Sequence, residues 1–534
     1  MTPPSPRRGP RRAAACSAAL LVPMGVVGPA GGTSSADLVL PLVAVVTAVA
    51  VAAYALVRRR LRATMRTTPG GRMPTVVPLD ELDQRTRHSL VETDDCVRTS
   101  REELGYATAQ CGEEAVRVPA EAVEFAAAEL AAAFRTRHRL DDGAGPARAL
   151  LEEIVARCGV AGRCLDEEAA GFDRARALER TAREALGYAE ARFRGLAGRV
   201  AEADGLLAGL RERYALSAYL PVAGHDERAK DRLVFATVCL NGAHRALDRG
   251  ETENAVARLR AAEAAVDQAA VLVDGIARLA TDLATATEKL PTALTDTVRD
   301  LAEARELLRT ESTRADLRGR IAYGESTVEA IRREPAGKGA GEGGSRCDPV
   351  GALRQIEQVS AGLDRALRRT PGGSRALARL DRALLTARST VTAAADHVTT
   401  HRGAVGAEAR TRLAEAELRL AEAENTDRPP VPAPSAALAD AREADTLGRQ
   451  ARQLAERDVR AYGTPYGEGL ETGGAVLGGI LLGARPRQGA GGPASYGGPG
   501  TRGRRNAGEL FRAARPPSAQ EPPRTGSAAP PPDP

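Results

Sequence analysis

Residues 38–57, "LVLPLVAVVTAVAVAAYALV", constrain this chain more than any other stretch, because about twenty positions pass without a charge. A helix of that length rises ~30 Å at ~1.5 Å per residue, which matches the hydrocarbon thickness of a bilayer. Inside lipid every backbone polar group must bond within its own segment, so a spanning helix is the direct reading. A buried core helix is the competing one, although core helices seldom run so far without a charge. Pro41 falls in the first turn, where its missing N–H does least harm, and Tyr54 falls near the far interface. Arg58, Arg59, Arg60, Arg62 and Arg66 come directly after. Basic flanks stay on the cytoplasmic side, so nearly everything after residue 57 is expected to face the cytoplasm.

Beyond the anchor the chain is expected to be all-α. Aromatic residues are 3% of the chain and Trp is absent, so a core built on large rings is excluded, while charged residues reach 27%. Abundant Ala, Leu, Arg and Glu fit long packed helices of coiled-coil type. A net charge of +5 over 534 residues excludes a nucleic-acid polyelectrolyte for the bulk of the chain. Seven irregularly spaced Cys do not form a disulfide framework and fit reduced cytoplasmic thiols.

Residues 1–33 have the pattern of a signal peptide. Arg7, Arg8, Arg11 and Arg12 make a basic start, residues 13–27 an apolar run, and residues 28–30 a small-residue cleavage point. Without cleavage, the two apolar runs would form a hairpin with both ends cytoplasmic. Residues 58–78 read as a basic juxtamembrane linker able to touch anionic headgroups. A first helical region spans 79–333, with breaks expected at 118–119, 141–146, 221–224, Gly250 and 290–291. Within it Val256, Leu259, Ala262, Val266, Ala269, Val273, Ile276, Ala280 and Leu283 recur at steps of three and four, a helix–helix seam. Small seam residues favour antiparallel hairpins over one rod, and seam residues left exposed predict self-association.

Residues 334–348 form a Gly-rich linker, and a second helical region spans 349–460, with Ser374 and Ser435 as N-cap candidates. Glu408 with Arg412 and Glu415 with Arg419 stand at i, i+4, which predicts exposed pairs on a solvated face. The Gly/Pro/Arg-rich tail, 461–534, is expected to be disordered, and its apolar run at 473–483 is too short to span a bilayer.

Six strings, "TTPGG" (67–71), "LVETDD" (90–95), "ELGYATAQ" (103–110), "RGAVGAEARTRLAEA" (402–416), "GGAVLGGILLG" (473–483) and "TRGRR" (501–505), together resemble the TPM domain-containing membrane proteins of actinobacteria. That resemblance implies a signal peptide, an extracytoplasmic TPM domain, one spanning helix, a helical cytoplasmic region and a Gly-rich tail. The few residues between Ala30 and Leu38 leave no room for the TPM domain. The phosphatase or membrane-complex assembly roles linked to some TPM domains therefore have no matching residues here.

No catalytic constellation emerges, and no catalytic, cofactor-binding or metal residues are assigned. "HVTTH" sets His397 and His401 one turn apart, but Val398 stands where a zincin carries its Glu. Cys158 and Cys164 lack a second pair for a zinc ribbon. Residues 337–345 lack the G-x-x-x-x-G-K-[ST] order of a phosphate loop. Asp94 and Asp95 are expected at the surface or in a capping role. The expected function is a non-catalytic, membrane-anchored helical scaffold, with the bilayer and a protein or second copy as partners. The alternatives are a phosphatase-type enzyme or subunit, by family analogy, and nucleic-acid binding through the basic tail, which sparse aromatics make unlikely.

Overall fold

The computed structural model describes residues 77–310, 315–333, 346–367, 373–425, 433–462 and 495–503. The expected signal segment, the apolar stretch 38–57 and the glycine-rich stretch 337–345 lie outside the described residues. So does the apolar run 473–483. Among the described residues the fold is all-α, with no strand, and no helix is long and apolar enough to cross a membrane.

Eleven principal helices are described: α1 (Leu79–Cys111), α2 (Arg117–Asp141), α3 (Ala147–Arg176), α4 (Leu178–Arg213), α5 (His225–Asp248), α6 (Thr252–Thr310), α7 (Ala315–Arg333), α8 (Pro349–Leu367), α9 (Gly373–Thr400), α10 (Ala407–Glu424) and α11 (Pro434–Tyr462). They belong to one compact unit that begins at Val77. The two helical regions expected at 79–333 and 349–460 therefore form one body. α8 and α9 lie against α6, and α10 lies against α1 and α2.

α6 is the spine. Its 59 residues give a rod ~90 Å long, and α4, α5, α8 and α9 all pack on it. The predicted seam is real and is filled within the chain. Leu259 and Ala262 are buried with Leu186 and Leu240, and Val266, Val273, Ile276 and Leu283 with Leu196, Leu207 and Leu353. α5 returns along α6 as the antiparallel hairpin that the small seam residues call for, turning at Gly250 (φ +73°).

The boundaries differ in three places. The break expected at 118–119 comes earlier, at 112–116, so that Pro119 lies in the first turn of α2. No break occurs at Pro291, which sits inside α6. A mid-helix proline costs about 3 kcal/mol, but the buried Leu283, Ala286, Leu290 and Ala293 around it offset that. Conversely, α3 and α4 are separated only by Ala177, a left-handed residue (φ +45°) with no Gly or Pro beside it. Ser374 and Ser435 also fall inside their helices, because α9 starts at Gly373 and α11 at Pro434.

The expected disorder of 461–534 does not extend to 495–503. Tyr496 is fully buried among α1–α3, and residues 499–503 form a helical turn. The glycines that give this segment its unstructured look are what let it approach α3. A Cβ on Gly498 would stand 2.0 Å from the Gly162 carbonyl oxygen, and one on Gly162 would stand 2.8 Å from Pro499.

Candidate interaction site

α1 carries Thr99, Glu103 and Tyr106 on one face at steps of four and three, with Asp94 on another side of the helix, and all four are buried. Ionisable groups remain inside a fold only when answered by partners, and here the partners arrive from four distant parts of the chain.

From the C-terminal half come Arg402 and Arg410. Arg410, 1% exposed, pairs with Asp94, reaches Asp95 Oδ1 at 2.8 Å, and donates to the carbonyls of Arg402 (2.6 Å) and Val405 (3.1 Å). Arg402 donates from Nη2 to both oxygens of Glu102, at 2.8 and 2.7 Å. Arg98 closes on Asp94 at 3.0 Å and donates to Thr399 Oγ1 at 3.2 Å. Burial pulls the Asp94 carboxyl upward, but Arg98 and Arg410 outweigh it and hold it below the usual carboxylate range. Asp94 and Asp95 therefore stitch α1 to α10, which corrects their expected surface or capping role.

The end of α3 and the first third of α6 supply the next layer. Arg176 pairs with Glu263 and lies 3.7 Å from Glu103, while Arg260 sits 3.1 Å from Glu103. Tyr106 donates its hydroxyl to the Glu263 carbonyl at 3.0 Å, and the Arg192 guanidinium lies 4.6 Å above its ring. Burial lifts the Asp267 carboxyl to about 7, with Glu102 and Glu263 adding to the rise and Arg192, 2.7 Å away, opposing it. The void among these groups is about 10 Å³, room for a single water and no substrate.

The tail segment supplies the last layer. The Tyr496 ring stacks on Phe172 at 4.3 Å and its hydroxyl donates to the Pro119 carbonyl at 2.9 Å. The Gly497 N–H donates to Ser100 Oγ (3.2 Å), and Arg502 donates to the Asp95 carbonyl (3.0 Å). Asp166 of α3 accepts from the N–H groups of Gly500 (3.1 Å) and Thr501 (2.7 Å), capping the tail's turn from another helix. Sequence reasoning misses Tyr496, Asp166 and Gly162. The one available signal is an aromatic placed five residues before "TRGRR".

The other residues singled out from sequence fall elsewhere. His397 and His401 stack at 4.3 Å, half-buried rather than set for a shared ligand, and burial pushes their imidazoles down to about 3 and about 4. Among the described residues no group of three His, Cys, Asp or Glu is arranged to hold a metal. Cys158 is buried and Cys164 half-buried, both on α3, and both are free thiols. The expected solvated face on α10 is mixed. Arg419 does pair with Glu415 at 3.1 Å, but Glu415 is buried. Arg412 donates to His138 Nδ1 at 2.8 Å, and Glu408 faces Arg457 at 3.5 Å.

No family model and no solved structure matches the chain. Two curated proteins of Mycobacterium tuberculosis do, the UPF0603 protein MT2410 (strain CDC 1551 / Oshkosh) and the UPF0603 protein Rv2345 (strain ATCC 25618 / H37Rv). Each is 33% identical over 461 residues, which cover 82% of this chain and 68% of the relative.

Proposed function

Since the chain belongs to the UPF0603 family, we propose that it works as a membrane-anchored helical scaffold rather than as an enzyme. Residues 38–57 are the anchor, and the body that starts at Val77 lies in the cytoplasm. The observation that carries the reading is the junction on α1. "LVETDD", "ELGYATAQ", "RGAVGAEAR" and the start of "TRGRR" lie far apart in sequence, yet all contribute to one polar cluster. Its charges are answered by one another, and its void of about 10 Å³ admits no substrate. Groups gathered this way set shape, fixing α1, α10 and the tail segment as one rigid surface. Partner contacts then fall to surfaces that stay open, such as Val234 and Val238 one turn apart on α5, both more than half exposed. Self-association through the seam on α6 would require opening the α4–α6 packing.

Alkaline carbonate extraction of cells making the full-length chain tests the anchor. The protein is expected in the membrane pellet, and a variant lacking 38–57 in the supernatant. A reporter inserted after Arg66 is expected on the cytoplasmic side; activity of that reporter outside the cell would overturn the topology. Sedimentation of the detergent-solubilised protein then separates a lone chain from a self-associating one.

A further inference from the structure

Away from the junction, the middle of α6 and the second half of α9 part to leave a cleft of about 460 Å³, floored by the turn that enters α5. That volume suits a small organic molecule. Pro221, Val222, Leu279 and Ala393 give it apolar walls, and its polar groups are His225, Asp282, Asp396, three hydroxyls and the guanidiniums of Arg278 and Arg388.

His225 is the most telling of them. It is 5% exposed, its ring is hydrogen-bonded to the backbone at Leu272, and its Nδ1 has no partner. Burial, with Arg228 adding to it, pushes the imidazole down to about 4, so the ring is neutral at pH 7 and Nδ1 presents a lone pair. Buried acceptors are rarely left unanswered. Next to that lone pair α6 carries Gly275, whose missing side chain keeps a small space open. A Cβ there would lie 3.4 Å from His225 Nδ1 and 3.0 Å from Asp396 Oδ2. Asp396 receives one donor, Arg278 Nη2 at 2.6 Å. Asp282, hydrogen-bonded to Ser389, is a second carboxylate in the wall, and burial lifts both carboxyls above their ordinary range.

An imidazole lone pair and two carboxylates facing one space favour a ligand that brings hydrogen-bond donors and positive charge. An anion would meet the carboxylates, because the two arginines of the lining are already engaged, Arg278 with Asp396 and Arg388 with Glu424. A bare metal ion would find two side chains at Gly275 and apolar walls around them, a poor coordination sphere. We propose that this cleft binds a small organic ammonium, its N–H groups directed to His225 Nδ1 and Asp396 and its apolar stem laid against Val222, Leu279 and Ala393. The proposal does not depend on membrane anchoring or on the scaffold reading.

The test uses the full-length chain labelled with ¹³C at histidine Cε1; with six histidines the spectrum is sparse, and His225→Gln assigns the resonance. The probe is 3-methylbutylamine, which carries an ammonium on a branched apolar stem; 4-methylpentanoate carries the opposite charge on a similar stem. The amine is expected to move the His225 resonance saturably, with half-saturation near about 1 mM, and the acid to leave it in place. Asp396→Asn should raise the half-saturation about tenfold or more. Gly275→Ala, which favours the helix while filling the shared space, should abolish the shift and guards against a misfolded Asp396 variant. An unmoved resonance at about 20 mM amine, well above that half-saturation, would overturn the proposal. So would an equal response to the acid, or amine binding undiminished in Gly275→Ala.

Discussion

The junction on α1 and the cleft over His225 both gather titratable groups, yet they differ in how those groups are answered. At the junction, guanidinium meets carboxylate at hydrogen-bonding distance, Arg402 with Glu102 and Arg410 with Asp94 and Asp95, around a void of about 10 Å³. At the cleft, an imidazole nitrogen, Asp282 and Asp396 surround about 460 Å³. Charge density alone therefore does not mark a functional site. The space left between the groups, about 10 Å³ against about 460 Å³, separates a polar cluster that holds the fold from one that waits for a ligand.

Removing one partner from the closed cluster should have the largest effect. Arg410→Met leaves Asp94 and Asp95 without their shared guanidinium inside the fold. Losing one member of a buried pair costs about 3–5 kcal/mol, so urea unfolding should shift to lower denaturant by that amount with an unchanged slope. Adding Asp94→Leu should deepen the loss rather than restore it, because Arg98, which pairs with Asp94 at 3.0 Å, is then left without its carboxylate. A single variant as stable as the parent would mean that the cluster does not hold α10 to α1.

Tyr496→Ala comes next. It deletes a buried ring stacked on Phe172 and strands the Pro119 carbonyl. Burying such a ring contributes about 3 kcal/mol, here confined to the docking of 495–503. The expected readout is trypsin cleavage after Arg502 accelerated by about a hundredfold, since a ~3 kcal/mol loss of docking shifts the open fraction by about that much. Gly498→Ala should act the same way through its clash with the Gly162 carbonyl. Equal cleavage rates in parent and variants would separate the tail from the junction.

How much of this is legible in the sequence depends on the range of the forces involved. Turns at Gly250 and at 221–224 are readable because Gly and Pro act on their own dihedrals. The seam on α6 is readable because burial imprints a period of three and four on adjacent residues. Pro291 misleads because tertiary burial outweighs a local preference, and the break at Ala177 is hidden because a left-handed alanine leaves no mark in the sequence. The α1 face cannot be read at all. Asp94 looks solvated until Arg410, 316 residues away, is laid on it. Tyr496 is masked by its neighbours, since the glycines that allow close approach also mimic the composition of a linker.

Acidity should pull the two regions in opposite directions. The imidazoles of His225, His397 and His401 sit at about 4, 3 and 4 in the fold against an ordinary 6.5. The fold thus favours neutral rings, a contribution full above pH 6.5 and lost as pH falls toward 4. Asp267 is raised from 3.8 to about 7, so the fold favours its protonated form, and that contribution is full below pH 4 and lost as pH rises to 7. Across pH 4–7, His397→Gln should flatten the acid-side fall in thermal stability, whereas Asp267→Asn should steepen it. Identical pH profiles in both variants would show that neither region titrates in this window.

The smallest expected effect tests whether burial, rather than the presence of a pair, is what matters. Glu408 lies on the same helix as Arg410 and faces Arg457 at 3.5 Å, with both side chains at least half exposed. Water screens such a pair and two long side chains lose freedom to form it, so Glu408→Ala should change stability by only a few tenths of a kcal/mol. Two residues within one helical turn would then carry ion pairs differing about tenfold in effect. A loss approaching that of Arg410→Met would mean that surface charge on α10 contributes to the body in its own right, and the contrast drawn from burial would fail.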